Sequence, residues 1–306
     1  MAHNVYIDSL LDALESRGYR GVLENPAAIT ITAPNGERAD LPIEPWFRFI
    51  DAHAEHGLPT AATRYADQAV SLFANVDSTD SNLRIRIYTD EYMNQVATLG
   101  DLRVRRGDAL LTRRLAPGLM ETVVIDTPDS IRTLNRQEVK GRDPNAVFGA
   151  AIRNSLAEDH FRVFEHSYGP VTVLALEAGH RYIGAHAHML SRYVNPATAR
   201  LGALVSFPTP EVVVVYEIGP VLSIATTTAL VYWIAKQYMT QSEHQLLLRL
   251  YWWRPGAYEE LGDRGPLSGG GPDLRELRFD VDFRADTIRA QTAETGELLE
   301  LWRNAL

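Results

Sequence analysis

Apolar positions near the start of the chain recur at helical spacing. Val5, Leu10, Leu11 and Leu14, with Ile7 at the edge of the stripe, predict a helix over 5–17. Arg17-Gly18 closes it, because glycine takes the left-handed conformation at low cost. The period then shortens. VLEN and AAITITA read as strands, PNGE as a turn carrying the Asn35-Gly36 type I′ signal, and RADLPI as a third strand. IEPWFRFIDAHA (43–54), with Pro45 in its first turn, and ATRYADQAVSLFANV (62–76) return to helical spacing.

STDSN (78–82) is small, polar and turn-prone, a linker. Beyond it RIRIY alternates as a strand, an arginine-rich stretch follows, and METVVID is an apolar strand ending at Asp126. Thr127 as N-cap and Pro128 at the first helical position predict a helix directly after it. From residue 144 the pattern becomes regular. PNAVFGAAIRNSLAE reads as helix, FRVFEHS and PVTVLALE as a strand pair about Tyr168-Gly169, and HRYIGAHAHMLSRYV as helix. GALVSFP and EVVVVYEI form a second pair, and VLSIATTTALVYWIAKQYM a third helix. Links this short join antiparallel neighbours. The expected class is therefore α+β, with antiparallel or mixed sheets flanked by helices, an N-terminal αβββα unit followed by an αββαββα unit. RGPLSGGGPD (264–273) reads as a flexible tether. Behind it LRELRFDVDF places Leu277, Phe279, Val281 and Phe283 on one strand face, which predicts docking on the chain's own sheet. The expected division is 1–77, 78–262 and 263–306.

Composition narrows the function classes. With 306 residues, 45% apolar and 23% charged, the chain has ordinary globular make-up and length for a well-buried core. A net charge of -9 disfavours nucleic acid and anionic membrane as partners. The absence of cysteine excludes disulfides, thiolate metal sites and a cysteine nucleophile. MAHNVYIDSLLDALESRGYR lacks the apolar core of a signal peptide, so a cytoplasmic setting is expected. Residues 212–235 are long and apolar enough to span a bilayer, but Glu217 lies inside the run and Gly219-Pro220 divides it. A buried strand turning into a buried helix is the expected reading.

Six stretches, in order, carry a family resemblance: the N-terminal helix–strand–strand unit, APGLMETVVIDTPDSIRTLNRQEV (116–139), AIRNSL (151–156), GHRYIGAHAHML (179–190), GALVSFPTPEVVVVYE (202–217) and SEHQLLLRLYWWRPG. Together they resemble the YtpQ-like family, bacterial proteins with a domain of unknown function, over most of residues 5–260. The resemblance implies an α+β architecture and a cytosolic setting, and it brings no reaction. Pro117, Gly118, Asp126, Pro128, Asn154 and Pro208 match the recurrent pattern, whereas Thr209-Pro210-Glu211 departs from an Arg-Asp pair after the proline.

Candidate chemistry is sparse. No P-loop, dinucleotide glycine motif, nucleophile elbow or HExxH is present. In GHRYIGAHAHML, His186 and His188 stand two apart, about 200° around a helix, and cannot chelate together. His53 and His56 are three apart at a helix end; geometry permits a metal pair, but favourable contact with the helix dipole is the stronger reading. Asp126 and Asp129 lie where a strand ends, a place for an acid/base pair or for a helix cap. Arg103, Arg105, Arg106, Arg113 and Arg114 supply the local positive field, and forked guanidinium groups there suit a small anionic ligand. The expectation is a non-catalytic protein that binds a protein partner or small ligand, without cofactor or metal, as monomer or homodimer. The alternative is a hydrolase-like enzyme using Asp126 and Asp129 with the Arg103–Arg114 strip.

Overall fold

The computed structural model describes residues 2–25, 28–34, 38–52, 55, 57–71, 80–99, 102–127, 130–158, 160–194, 199–221, 223–262, 265, 270–282 and 284–306. The first half runs α1 (Ala2–Glu15), β1 (Arg20–Asn25), β2 (Ala28–Thr32), β3 (Arg38–Pro42), α2 (Ile43–Ala52), α3 (Leu58–Ser71), β4 (Leu83–Thr89) and α4 (Asp90–Asn94). It continues as β5 (Val96–Leu99), β6 (Leu102–Arg105), α5 (Arg106–Ala109), β7 (Thr112–Ala116), β8 (Leu119–Thr127) and β9 (Ser130–Thr133). The second half begins α6 (Pro144–Leu156), β10 (Phe161–Tyr168), β11 (Val171–Ala178), a 3₁₀ segment (Ile183–Arg192), β12 (Ala203–Thr209), β13 (Val212–Glu217) and α7 (Ile224–Gln241). It ends β14 (Leu250–Trp253), α8 (Ala257–Glu260), β15 (Leu274–Leu277), β16 (Phe279–Asp282), β17 (Thr287–Ala290) and α9 (Ala293–Asn304). The class is α+β, as the pattern of periods predicts.

Two compact units form. One comprises Met1–Ser78, Gln95–Asp108 and Asp126–Arg132; the other comprises Thr79–Asn94, Ala109–Ile125 and Thr133–Leu306. In the first, β1, β2 and β3 make an antiparallel meander. α1 buries Ile7, Leu10 and Leu14 while Val5 stays 58% exposed, so the apolar stripe is centred on Ile7 rather than on Val5. Trp46 anchors this core: its indole nitrogen donates to the Tyr6 carbonyl at 3.1 Å and its ring lies 5.2 Å from that of Tyr65. The predicted Asn35-Gly36 turn lies outside the described residues.

The second unit is organised by a six-stranded sheet in the order β10-β11-β13-β12-β14-β15, each neighbouring pair antiparallel. Both faces are covered, which explains the unbroken run VVVVY. Val213 and Val215 point into a core shared with the 3₁₀ segment, β4 and β7, and Val212, Val214 and Tyr216 into one shared with α7 and α9. The apolar stretch 212–235 is thus a sandwiched strand followed by α7, whose start is capped by Ser223 accepting from the Thr226 amide at 3.0 Å. Among the described residues, no helix is long and apolar enough to cross a membrane.

Three local expectations are corrected. The segment after Gly179 is not an α-helix but a 3₁₀ run kinked at Met189. It packs so closely on β4 that a Cβ at Gly184 would stand 2.3 Å from the Ile87 side chain. No helix starts at Thr127: β8 runs through that residue and Ser130–Thr133 is a strand. The cap-like residues are overruled there by β-branched Ile131 and Thr133. Third, LRELRFDVDF is two strands rather than one. β15 pairs β14 as the sixth strand of the central sheet and sends Leu274 into one core and Leu277 into the other. After Arg278, β16 pairs β17, with Phe279 and Val281 against the second core. Phe283 lies outside the described residues.

Candidate functional site

Buried and half-buried polar side chains of the second unit form a continuous chain. Arg113 and Glu121 are register partners across the β7–β8 hairpin, and Arg113 Nε donates to Glu121 Oε2 at 2.7 Å. Glu121 Oε1 lies 2.5 Å from His188 Nε2, and His188 Nδ1 lies 2.5 Å from the Tyr258 hydroxyl. Glu121 is 1% and His188 4% exposed. Burial works to raise the Glu121 pKa, but His188 and then Arg113, through charge and hydrogen bonds, overcome it and hold the carboxyl at about 2. Burial pushes the Tyr258 hydroxyl up. The Arg113 guanidinium sits 4.4 Å over the Phe148 ring, and its two terminal nitrogens have no hydrogen-bond partner among the described residues.

A carboxylate–imidazole–hydroxyl series has the connectivity of an acid–base relay. Here both imidazole nitrogens are engaged and the terminal hydroxyl is held in its neutral form, so the chain acts as a strut tying the β7–β8 hairpin, the 3₁₀ segment and α8 together. Neighbouring His186 is equally buried. Its Nδ1 meets the Tyr193 hydroxyl, and Nε2 has no partner among the described residues. Burial first, then the positive neighbours Arg192 and His180, lower its pKa to about 4.

The exposed counterpart is a groove of about 440 Å³ between the outer hairpin β10–β11 and α7. β10 is an edge strand, and Phe164, His166 and Tyr168 alternate onto its α7-facing side. From α7 come Trp233 and Tyr238, with Ile234 beneath. Tyr168 and Trp233 meet edge to face at 6.4 Å and 89°, and His166 Nε2 lies 3.0 Å from the Tyr238 hydroxyl. Burial, then the nearby Glu177 carboxylate, raises the Tyr238 pKa. Trp233 is 47% exposed, whereas Trp46, Trp252, Trp253 and Trp302 are all buried. Large rings standing in water on a rigid sheet and helix are the usual make-up of a ligand seat.

The residues singled out in the sequence fall elsewhere. Arg113 is committed to Glu121, and Arg114 reaches Asp90 at 3.3 Å on the surface. Arg103 and Arg105 belong to β6 in the other unit, and their side chains lie outside the described set. Asp126 sits near the end of β8, half-buried, and its side chain forms no hydrogen bond or ion pair among the described residues. Asp129, His53 and His56 lie outside the described residues. Among those described, no three His, Asp or Glu side chains converge to hold a metal.

Reading the sequence missed Glu121, which breaks an apolar strand opposite an arginine of the preceding strand. That pairing was available as a signal. His188, 67 positions away, gave none. Comparison with known protein families, with curated proteins and with solved structures finds no match.

Proposed function

We propose that the chain is a non-catalytic binding protein and that the groove between β10–β11 and α7 seats its ligand. Trp233 carries this reading: of the chain's five tryptophans it alone stands half-exposed, and it does so at the wall of a cavity. An enzyme would need its acid–base groups open to substrate. The acid–base series found here is turned inward and satisfied by its own members. A hydrolase built on Asp126 and Asp129 draws less support, since Arg113 and Arg114, two arginines of its strip, already pair with other carboxylates. A bacterial, cytosolic member of the YtpQ-like family is the matching setting, supported by the order of the resembling stretches and the cysteine-free composition.

The test uses the five indole N–H signals of ¹⁵N-labelled protein, with Trp233 assigned through Trp233→Phe. Small aromatic, aliphatic and charged fragments are added one at a time. Fragments that enter the groove move the Trp233 signal and leave the four buried indoles in place. A folded protein whose Trp233 signal answers no fragment contradicts the reading.

A further inference from the structure

The lining of the groove points to the charge of its ligand. Four aromatic rings, Phe164, Tyr168, Trp233 and Tyr238, surround the space; among the described residues lining it, Glu177 is the one acidic side chain, His166 the one imidazole, and none is a lysine or arginine. The π-face of an aromatic ring is electronegative, and rings set at right angles give a small cation an aromatic surface on adjoining sides. The Tyr168–Trp233 corner, at 89°, has that form. Glu177 forms no ion pair among the described residues, its register partner Arg162 included, and its charge reaches the Tyr238 hydroxyl at the groove wall.

An anion would meet ring faces and a carboxylate of its own sign. A neutral apolar ligand would leave Glu177 unanswered. Resting on the proposal that this groove is a ligand seat, we propose that it takes an organic cation, an alkylated or quaternary ammonium group, with the rings enclosing the cation and Glu177 balancing its charge.

Choline and its uncharged isostere 3,3-dimethylbutan-1-ol have nearly the same shape and differ in charge. Both are titrated against the full chain, with the Trp233 indole signal as readout. Choline is expected to bind about 10-fold more tightly than the isostere, the range of a partly desolvated cation–π contact aided by one carboxylate. Glu177→Gln should shrink that preference while leaving the isostere's affinity unchanged, and Tyr168→Ala, which keeps the Trp233 reporter, should weaken the response to both. Both positions are exposed, so unchanged melting temperatures are the expected control. Equal affinity for the two probes, or preference for the neutral one, overturns the cation assignment and leaves the groove standing as a seat. Silence toward both overturns the cation assignment, and silence toward the fragment set as well overturns the seat.

Discussion

Two clusters in the second unit mirror each other. In Arg113–Glu121–His188–Tyr258, groups that prefer water are enclosed and linked in series, with the two terminal nitrogens of Arg113 left unpartnered among the described residues. In Phe164–Tyr168–Trp233–Tyr238, groups that prefer enclosure stand at an open groove. A buried charge survives only by finding partners, so the first cluster explains itself through structure. An exposed aromatic wall has no such internal account, because folding gains little from rings left in water. The chemistry that looks catalytic has a structural account, and the aromatic patch is where the proposed function is placed.

The comparison breaks if the two clusters respond alike to perturbation. The largest effect should come from truncation after Gly262. It removes β15 and α9, with buried Leu274, Leu277, Leu298, Leu299 and Trp302, and strips one cover from the central sheet. The shortened chain should aggregate, and a monomer melting at the original temperature would contradict this. Glu121→Leu comes next. Leaving Arg113 and His188 buried without their carboxylate should cost about 3–5 kcal/mol, read by denaturant unfolding. Trp302→Ala should cost about 3–5 kcal/mol by the same measurement. Trp233→Ala should stay within about 0.5 kcal/mol of the parent, as a surface substitution does.

Acid sharpens the contrast further. The Glu121 carboxyl is depressed from 4.5 to about 2, so its contribution is complete above pH 4.5 and is lost as pH falls toward 2. His186 is lowered from 6.5 to about 4. The unfolded chain therefore takes up a proton that the folded one refuses, and stability falls between those values as pH drops. The two windows adjoin. Melting temperature followed from pH 7 to 3 should decline from pH 6.5 downward, and His186→Gln should delay the onset to about pH 4.5.

Most of the architecture was legible because it is written locally. The Tyr168-Gly169 hairpin and the strand–helix division of 212–235 each follow from neighbours in sequence. Where local signals conflicted, reading failed. Thr127-Pro128 resembles a helix start, yet the β-branched residues behind it continue as strand. The 3₁₀ segment has helical composition but is set by its close approach to Ile87, a contact 97 positions away in the chain. Neither cluster could be assembled from sequence. Phe164 and Tyr168 share a strand face by parity and Trp233 lies on the α7 surface, but only the packing of α7 on the sheet brings them together. His188 finds Glu121 only through the same kind of tertiary closure.

The central claim is that this protein works through its exposed aromatic groove. The most direct test is the position of the five indole N–H resonances during a choline titration. The account predicts movement of the Trp233 resonance alone, abolished in Trp233→Phe by loss of the signal and weakened in Glu177→Gln. Five resonances unmoved by choline and by the fragment set alike, or movement of the buried indoles with Trp233 unchanged, would contradict it.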